Sequence, residues 1–253
     1  MADSLVILRA LMNYQWDWGL LFQTSEIYGE TYLWLFCISV GWTLLLSMAS
    51  WAIALSMGTV VGIMRCVPNR AARLFALFYV QIFRGIPLIV QMFLWYFIVP
   101  ELWAPIKTWV LNTSTGTVQF TAACVCLGLF TSARITEQVR SGITALPAGA
   151  SGAAKALGLT PVQAYRYVIL PQVFRTIFPP LTSELMNLIK NSSIAMTVGF
   201  AELTFRAREV GETTFSYFES FTVVTIAYIA IAYTANRLAH LYERRLNKIG
   251  MVG

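Results

Sequence analysis

Charge is what this sequence has least of. Only 12% of its 253 residues are Asp, Glu, Lys or Arg, against roughly 25% in an average soluble domain. Hydrophobic residues make up 57%, more than a soluble globule can cover with polar surface, which places the chain in a membrane. Histidine is nearly absent. The single one, His240, stands at a helix end among Arg residues and reads as an interfacial cap, not a catalytic base. No Gly-x-x-x-x-Gly-Lys-Ser/Thr run is present, so the chain does not hold ATP phosphates by that route. No Ser, Cys or His constellation suggests hydrolysis. Cys37, Cys66, Cys124 and Cys126 lie in or beside apolar runs without metal-ligand spacing, and are expected as buried free thiols. Two-residue alternation is missing from the long apolar runs, which argues against a β-barrel. The start, Met1-Ala2-Asp3-Ser4-Leu5, lacks the basic stretch and small-residue cleavage site of a secretory leader. The net charge of +6 is not gathered on one polar helix, so it does not read as a nucleic-acid surface.

What is there is a series of apolar spans. Residues 1–30 are mixed, with Trp16, Trp18 and the acids Asp3, Asp17, Glu26 and Glu30, and read as a periplasmic or interfacial lead-in. Residues 31–245 form one transmembrane domain. Its spans are predicted at about 31–64, 74–99, 118–140, 173–200 and 217–238, each near or above the ~20 residues a helix needs to cross the hydrocarbon. The second is interrupted by Arg84-Gly85-Ile86-Pro87, and the fourth carries Glu184, Asn187, Lys190 and Asn191. Arg65, Arg70, Arg73, Lys155, Arg166, Arg175, Arg244, Arg245 and Lys248 fall on one side. Most acids fall on the other. Lys and Arg mark the cytoplasmic side, so five crossings put the N-terminus outside and the C-terminus inside. A polar loop at 141–172 is then cytoplasmic. Within it, Gly149, Ala153, Ala154 and Gly158 are expected to form a shallow surface that another protein can approach closely.

Three motifs carry a resemblance. They are Phe83-Arg84-Gly85-Ile86-Pro87-Leu88-Ile89-Val90-Gln91, then Glu137-Gln138-Val139-Arg140-Ser141-Gly142-Ile143 with Leu146-Pro147. The third is Ala153-Ala154-Lys155-Ala156-Leu157-Gly158-Leu159 with Tyr165-Arg166-Tyr167-Val168-Ile169-Leu170-Pro171-Gln172. Together they resemble the permease subunit of polar amino acid ABC importers, over about residues 35–240. Val99–Leu102, Cys126–Thr131 and Thr182–Asn191 look most like its glutamate/aspartate branch. The resemblance implies an all-α integral membrane fold of the type I (MetI-like) kind with about five transmembrane helices. It implies an importer subunit of the bacterial inner membrane that works by alternating access and is itself no enzyme. The implied partners are an ABC ATPase homodimer, which carries ATP and Mg, a second permease subunit, related or identical, and a periplasmic substrate-binding protein. This chain would bind no cofactor or metal, and would contact membrane lipid but no nucleic acid. The implied ATPase-coupling residues are Gly149, Gly152, Ala153, Ala154, Lys155, Gly158 and Arg166. One departure stands out: Gly152 occupies a position where the family usually has Glu. An ion-coupled secondary transporter or channel is the competing class, and shows internal repeats that this chain lacks; a non-transporting scaffold is a third.

Ionisable residues inside a membrane are costly and usually meet a partner or a wet cavity. Glu184, Asn187 and Asn191 are three and four apart, on one helix face, and Arg134, Glu137 and Gln138 form a similar stripe. These stripes either line the translocation path or lock helices together as buried pairs. Arg84 either meets an anionic solute or satisfies carbonyls freed by Pro87.

Overall fold

The computed structural model describes residues 14–250, without the side chains of Ala148, Ala150, Ser151, Lys155 and 244–250. Helix α1 (Tyr32–Met64) starts where Thr31 Oγ1 accepts a hydrogen bond from the Trp34 amide at 3.3 Å. No proline or charge interrupts its 33 residues, and at ~1.5 Å per residue it outreaches the ~30 Å hydrocarbon core. Asn69 Oδ1 accepts from the Ala71 and Ala72 amides and so caps α2 (Arg70–Gly85). After Ile86-Pro87 the chain leaves at 103° as α3 (Leu88–Leu102). Pro87 has no N–H, and the residue before it is driven out of the helical region. The predicted second span is therefore two helices at an angle, not one straight crossing. A short α4 (Ala104–Leu111) leads to α5 (Thr115–Ala145).

The expected polar loop at 141–172 is largely helical. Helix α5 runs on to Ala145, α6 covers Ala148–Ala156, and α7 starts at Pro161 and continues to Asn191. Thr160 and Gln163 form a reciprocal capping box at its start. Pro179 and Pro180 lie inside α7 and not in a loop. The fourth span stops at Asn191, nine residues short of the predicted end; Ser192–Val198 is a tighter 3₁₀ run. Helix α8 (Leu203–Thr214) and α9 (Tyr217–Gly250) complete the chain.

Close approaches set the helix directions. A Cβ on Gly128 would stand 2.7 Å from Ile53, one on Gly58 2.7 Å from Ile135, and one on Gly62 2.7 Å from Val139. The paired residues advance together along both chains, so α1 and α5 run parallel. Glycines let the two backbones meet without a hydrophobic drive, which lipid does not supply. Gly142 receives Val173 and Ile177, and Gln138 meets Pro180 and Glu184. That register descends as the other rises, so α7 is antiparallel to α5. Two parallel helices require one return pass between them, and α2 with α3 is that pass.

Among the described residues, three helices are long and apolar enough to cross a membrane, and the bent α2–α3 pair makes a fourth. Helix α7 is long enough but too polar to qualify on hydropathy alone. α5 is the central helix: 61% of its apolar window is buried, against 17% for α9. The four cysteines are free, but Cys37 is exposed, contrary to expectation.

Candidate functional site

The break after Arg84 positions the first functional side chain. Gln91, buried on α3, donates Nε2 to the Phe83 and Ile86 carbonyls, both at 2.9 Å. The freed carbonyls at the break are thus met by Gln91, and Arg84 is left to face a cavity. That cavity holds about 420 Å³ and is lined by Arg84, Phe130, Arg134, Glu137 and Glu184. A second of about 440 Å³ shares Arg84 and Glu137 and adds Arg65 and Gln81.

The carboxylates here are already engaged. Glu137 Oε2 accepts from Arg140 Nε at 2.9 Å, and its Oε1 lies 3.4 Å from Arg65. Arg134 Nη1 stands 3.7 Å from Glu184 Oε2, and Gln138 Nε2 reaches Glu184 Oε1 at 3.5 Å, the outer edge of hydrogen-bond range. Arg134 also lies 5.1 Å from the Phe130 ring centre. Arg84 has no carboxylate within 4.0 Å among the described residues. Arg65 keeps one buried guanidinium nitrogen without a hydrogen-bond partner.

The two predicted stripes are therefore brought together only in part. Arg84, Arg134, Glu137 and Glu184 share one cavity. Asn187 and Asn191 continue the Glu184 face toward the far end of α7, half-buried and outside that lining. The pairing of Glu184 with Arg134 is an interhelical contact and a cavity wall at once, so the two readings of the stripe do not exclude each other.

The second predicted site is α6. A Cβ at Gly149 or Gly152 would meet nothing within 4 Å, and Ala153 is exposed. Ala154 is the exception: it is 1% exposed and turns inward, so it is no part of an outer surface. Gly158 has φ +71. Leu159 N donates to Ala154 O at 3.1 Å, the long-range bond of a helix stop whose following residue must be left-handed. Gly158 is there to end the helix. The Lys155 side chain lies outside the described residues, and exposed Arg166 rests over the Tyr167 ring at 5.7 Å. Beside α6, Leu157 and Val162 are each 76% exposed. Sequence reasoning passed over both, although an apolar residue flanking Gly158 and another just after Pro161 could have been noticed.

It also passed over two buried carboxylates. Glu202 is fully buried at the start of α8, where it accepts from the Phe205 amide (2.8 Å), the Thr204 amide (2.9 Å) and Tyr228 Oη (2.9 Å). Burial pushes its carboxyl up to about 7. Glu219, also fully buried, accepts from Tyr14 Oη at 2.6 Å and the Asp17 amide at 2.8 Å, which ties the lead-in to α9. That bond pushes the Tyr14 phenol up to about 12. Among the described residues, no three His, Cys, Asp or Glu side chains stand together as a metal site.

Comparison with known proteins bears on what these sites do. Residues 54–248 match the family described as binding-protein-dependent transport system inner membrane component. The chain is 42% identical over 244 residues to the glutamate/aspartate import permease protein GltJ of Escherichia coli (strain K12), covering 96% of this chain and 99% of that one. It is 36% identical over 198 residues to the putative glutamine transport system permease protein GlnP of Rickettsia bellii, covering 77% and 86%. Among solved structures it is similar to an amino acid ABC transporter crystallised with histidines, with TM-score 0.69 and 32% identity over 85% of this chain and 95% of that one. A methionine ABC transporter, MetNI, in an inward-facing form has TM-score 0.69 at 24% identity over 88% and 99%, a likeness of fold.

Proposed function

The chain belongs to the family of binding-protein-dependent transport system inner membrane components, as the permease of an amino acid ABC importer, and from that premise we propose that its solute is glutamate or aspartate. The observation that carries this reading is Arg84. Glu137 is held by Arg140 and Arg65, and Glu184 by Arg134, while Arg84 faces the cavity with no carboxylate within 4.0 Å of it among the described residues. An anionic solute meets a guanidinium fork able to take a carboxylate bidentately. A cationic solute would have to displace an arginine from a carboxylate already in use. The likeness to a glutamate/aspartate permease supports the same solute.

In this reading transport proceeds by alternating access. A periplasmic binding protein delivers solute, and two ATPase subunits, which carry ATP and Mg, sit on the cytoplasmic loops of the permease pair, one of them on α6 of this chain. Gly149, Gly152 and Ala153 present an open face there, flanked by Leu157 and Val162. Apolar contact at these two residues supplies what the charge missing at Gly152 does not. Arg166 and Lys155 border that face in sequence. A second permease subunit, related or identical, completes the path. The N-terminus lies outside and the C-terminus in the cytoplasm, as the Lys and Arg placement requires. ATP and loaded binding protein drive the cycle only so far as they favour one state over the other.

The test is uptake of labelled glutamate, aspartate, glutamine and arginine into proteoliposomes holding the assembled complex. Arg84→Gln is expected to lower acidic amino acid uptake about tenfold or more, the scale of a lost charged hydrogen bond, with complex yield unchanged. Unaltered uptake in Arg84→Gln, or preference for arginine or glutamine, overturns the solute. Uptake without ATP by a chain that purifies alone would instead indicate an ion-coupled carrier.

A further inference from the structure

Two cavities meet at Arg84 and Glu137, and their charges differ. The first, of about 420 Å³, is lined by Arg84 and Arg134 and by Glu137 and Glu184, so its charge is balanced. The second, of about 440 Å³, is lined by Arg65 and Arg84 with Glu137 as the one carboxylate among the described residues, and Arg140 already holds Glu137 at 2.9 Å. Both volumes fall within the roughly 300–1,000 Å³ of small-molecule sites. A balanced wall suits a zwitterion. A wall with guanidinium in excess selects a carboxylate.

Arg65 is the loosely held member of the second cavity. Its Nη2 stands 3.4 Å from Glu137 Oε1, and its Nη1 is buried with no hydrogen-bond partner among the described residues. A buried donor left unmet is costly, so Arg65 favours any carboxylate that meets both nitrogens. Arg140 binds the other oxygen of Glu137, and Glu137 therefore keeps a partner when Arg65 turns away. Position gives this cavity a direction. Gly58 meets Ile135 and Gly62 meets Val139, so Arg65, three residues on, is level with Gly142 of α5, about 12 Å beyond Arg134. Helix α5 ends at Ala145 and α6 begins at Ala148. Arg65 thus lies on the α6 side of the first cavity, the cytoplasmic side in the proposed orientation.

We propose that the cavity between Arg65 and Arg84 is a second station on the solute path, where the α-carboxylate of the amino acid passes from Arg84 to Arg65 and displaces Glu137 from it. This rests on a path through the Arg84 cavity, but not on an acidic solute, because every α-amino acid carries that carboxylate.

The experiment uses the assembled complex in proteoliposomes, with whichever of glutamate, aspartate, glutamine and arginine the wild type takes up. Arg65→Gln is expected to lower the maximal uptake rate about tenfold, the scale of a lost charged hydrogen bond. The half-saturating concentration should stay unchanged, since solute is still received at Arg84. Arg65→Gln combined with Glu137→Gln, which leaves no carboxylate there to neutralise, should remain as slow. Recovery of uptake in the double variant would reduce Arg65 to a counterion of Glu137 and overturns the proposal. So does uptake per assembled complex equal to wild type in Arg65→Gln. Gln81, exposed, lines the second cavity and not the first, and gives a direct reading. Gln81→Cys, in a chain whose four native cysteines are replaced by alanine, is expected to lose most of its maleimide labelling when ATP and solute are added, and Arg65→Gln should remove that protection. Labelling at the same rate with and without solute overturns the station. Protection by glutamine or arginine instead of the acidic amino acids supports the station while overturning the solute.

Discussion

Arg84 and Gln91 divide the work at the helix break, and they show what single residues reveal about themselves. Both read from sequence as polar residues in an apolar span. Only the close approach of Gln91 Nε2 to two carbonyls shows that it satisfies the backbone and releases Arg84. Glu202 makes the same point with a pH consequence. Its carboxyl rises in the folded protein from 4.5 to about 7 because burial penalises the charge more than its three hydrogen bonds repay. The folded state therefore binds a proton more tightly than the unfolded one. Stability from this group is full below pH 4.5 and falls as pH rises toward about 7. Thermal unfolding of the purified chain should show its melting temperature declining over that interval. Glu202→Gln, which keeps the shape without the titration, should flatten this part of the profile. A wild-type stability that rises across the interval would contradict the assignment.

At the scale of elements, the seam between α1 and α5 rests on glycines that no span prediction singles out. At Gly58 an added Cβ would lie 2.7 Å from Ile135 and 2.9 Å from the Ser132 carbonyl oxygen. A side chain can rotate away, but a helix backbone cannot. Gly58→Ala should therefore cost ~1–3 kcal/mol, the usual price of overpacking, despite the better helix propensity of alanine. Gly152 on α6 supplies the contrast: it has open space around it, so Gly152→Ala should leave stability equal or raise it by up to ~1 kcal/mol. Parallel denaturation of both variants in detergent measures the difference. Similar effects at the two positions would mean that the seam is looser than its distances.

For the whole molecule, the parallel register of α1 with α5 and the antiparallel register of α5 with α7 demand one return pass at α2–α3. Hydropathy sees α7 poorly, because Arg175, Glu184 and Lys190 lower its apolarity. The proposed orientation follows from charge: single cysteines at Ser151 and Thr115 should react with an impermeant maleimide from the cytoplasm and the periplasm respectively. Labelling of both from one side would remove a pass from the fold.

Composition alone determined that this chain lives in a membrane, since so few charges cannot solvate a globule. The clustering of Lys and Arg at span ends set the expected topology. The motifs around Arg84, Glu137 and Gly158 pointed to the permease family, because each is a local pattern of residues at short range. The tertiary structure alone decided the rest. Which polar groups share a cavity, the 103° turn at Pro87 and the inward face of Ala154 depend on how helices distant in sequence approach one another. Local spacing places Glu184, Asn187 and Asn191 on one face, but only the position of α5 selects Glu184 from that face to meet Arg134.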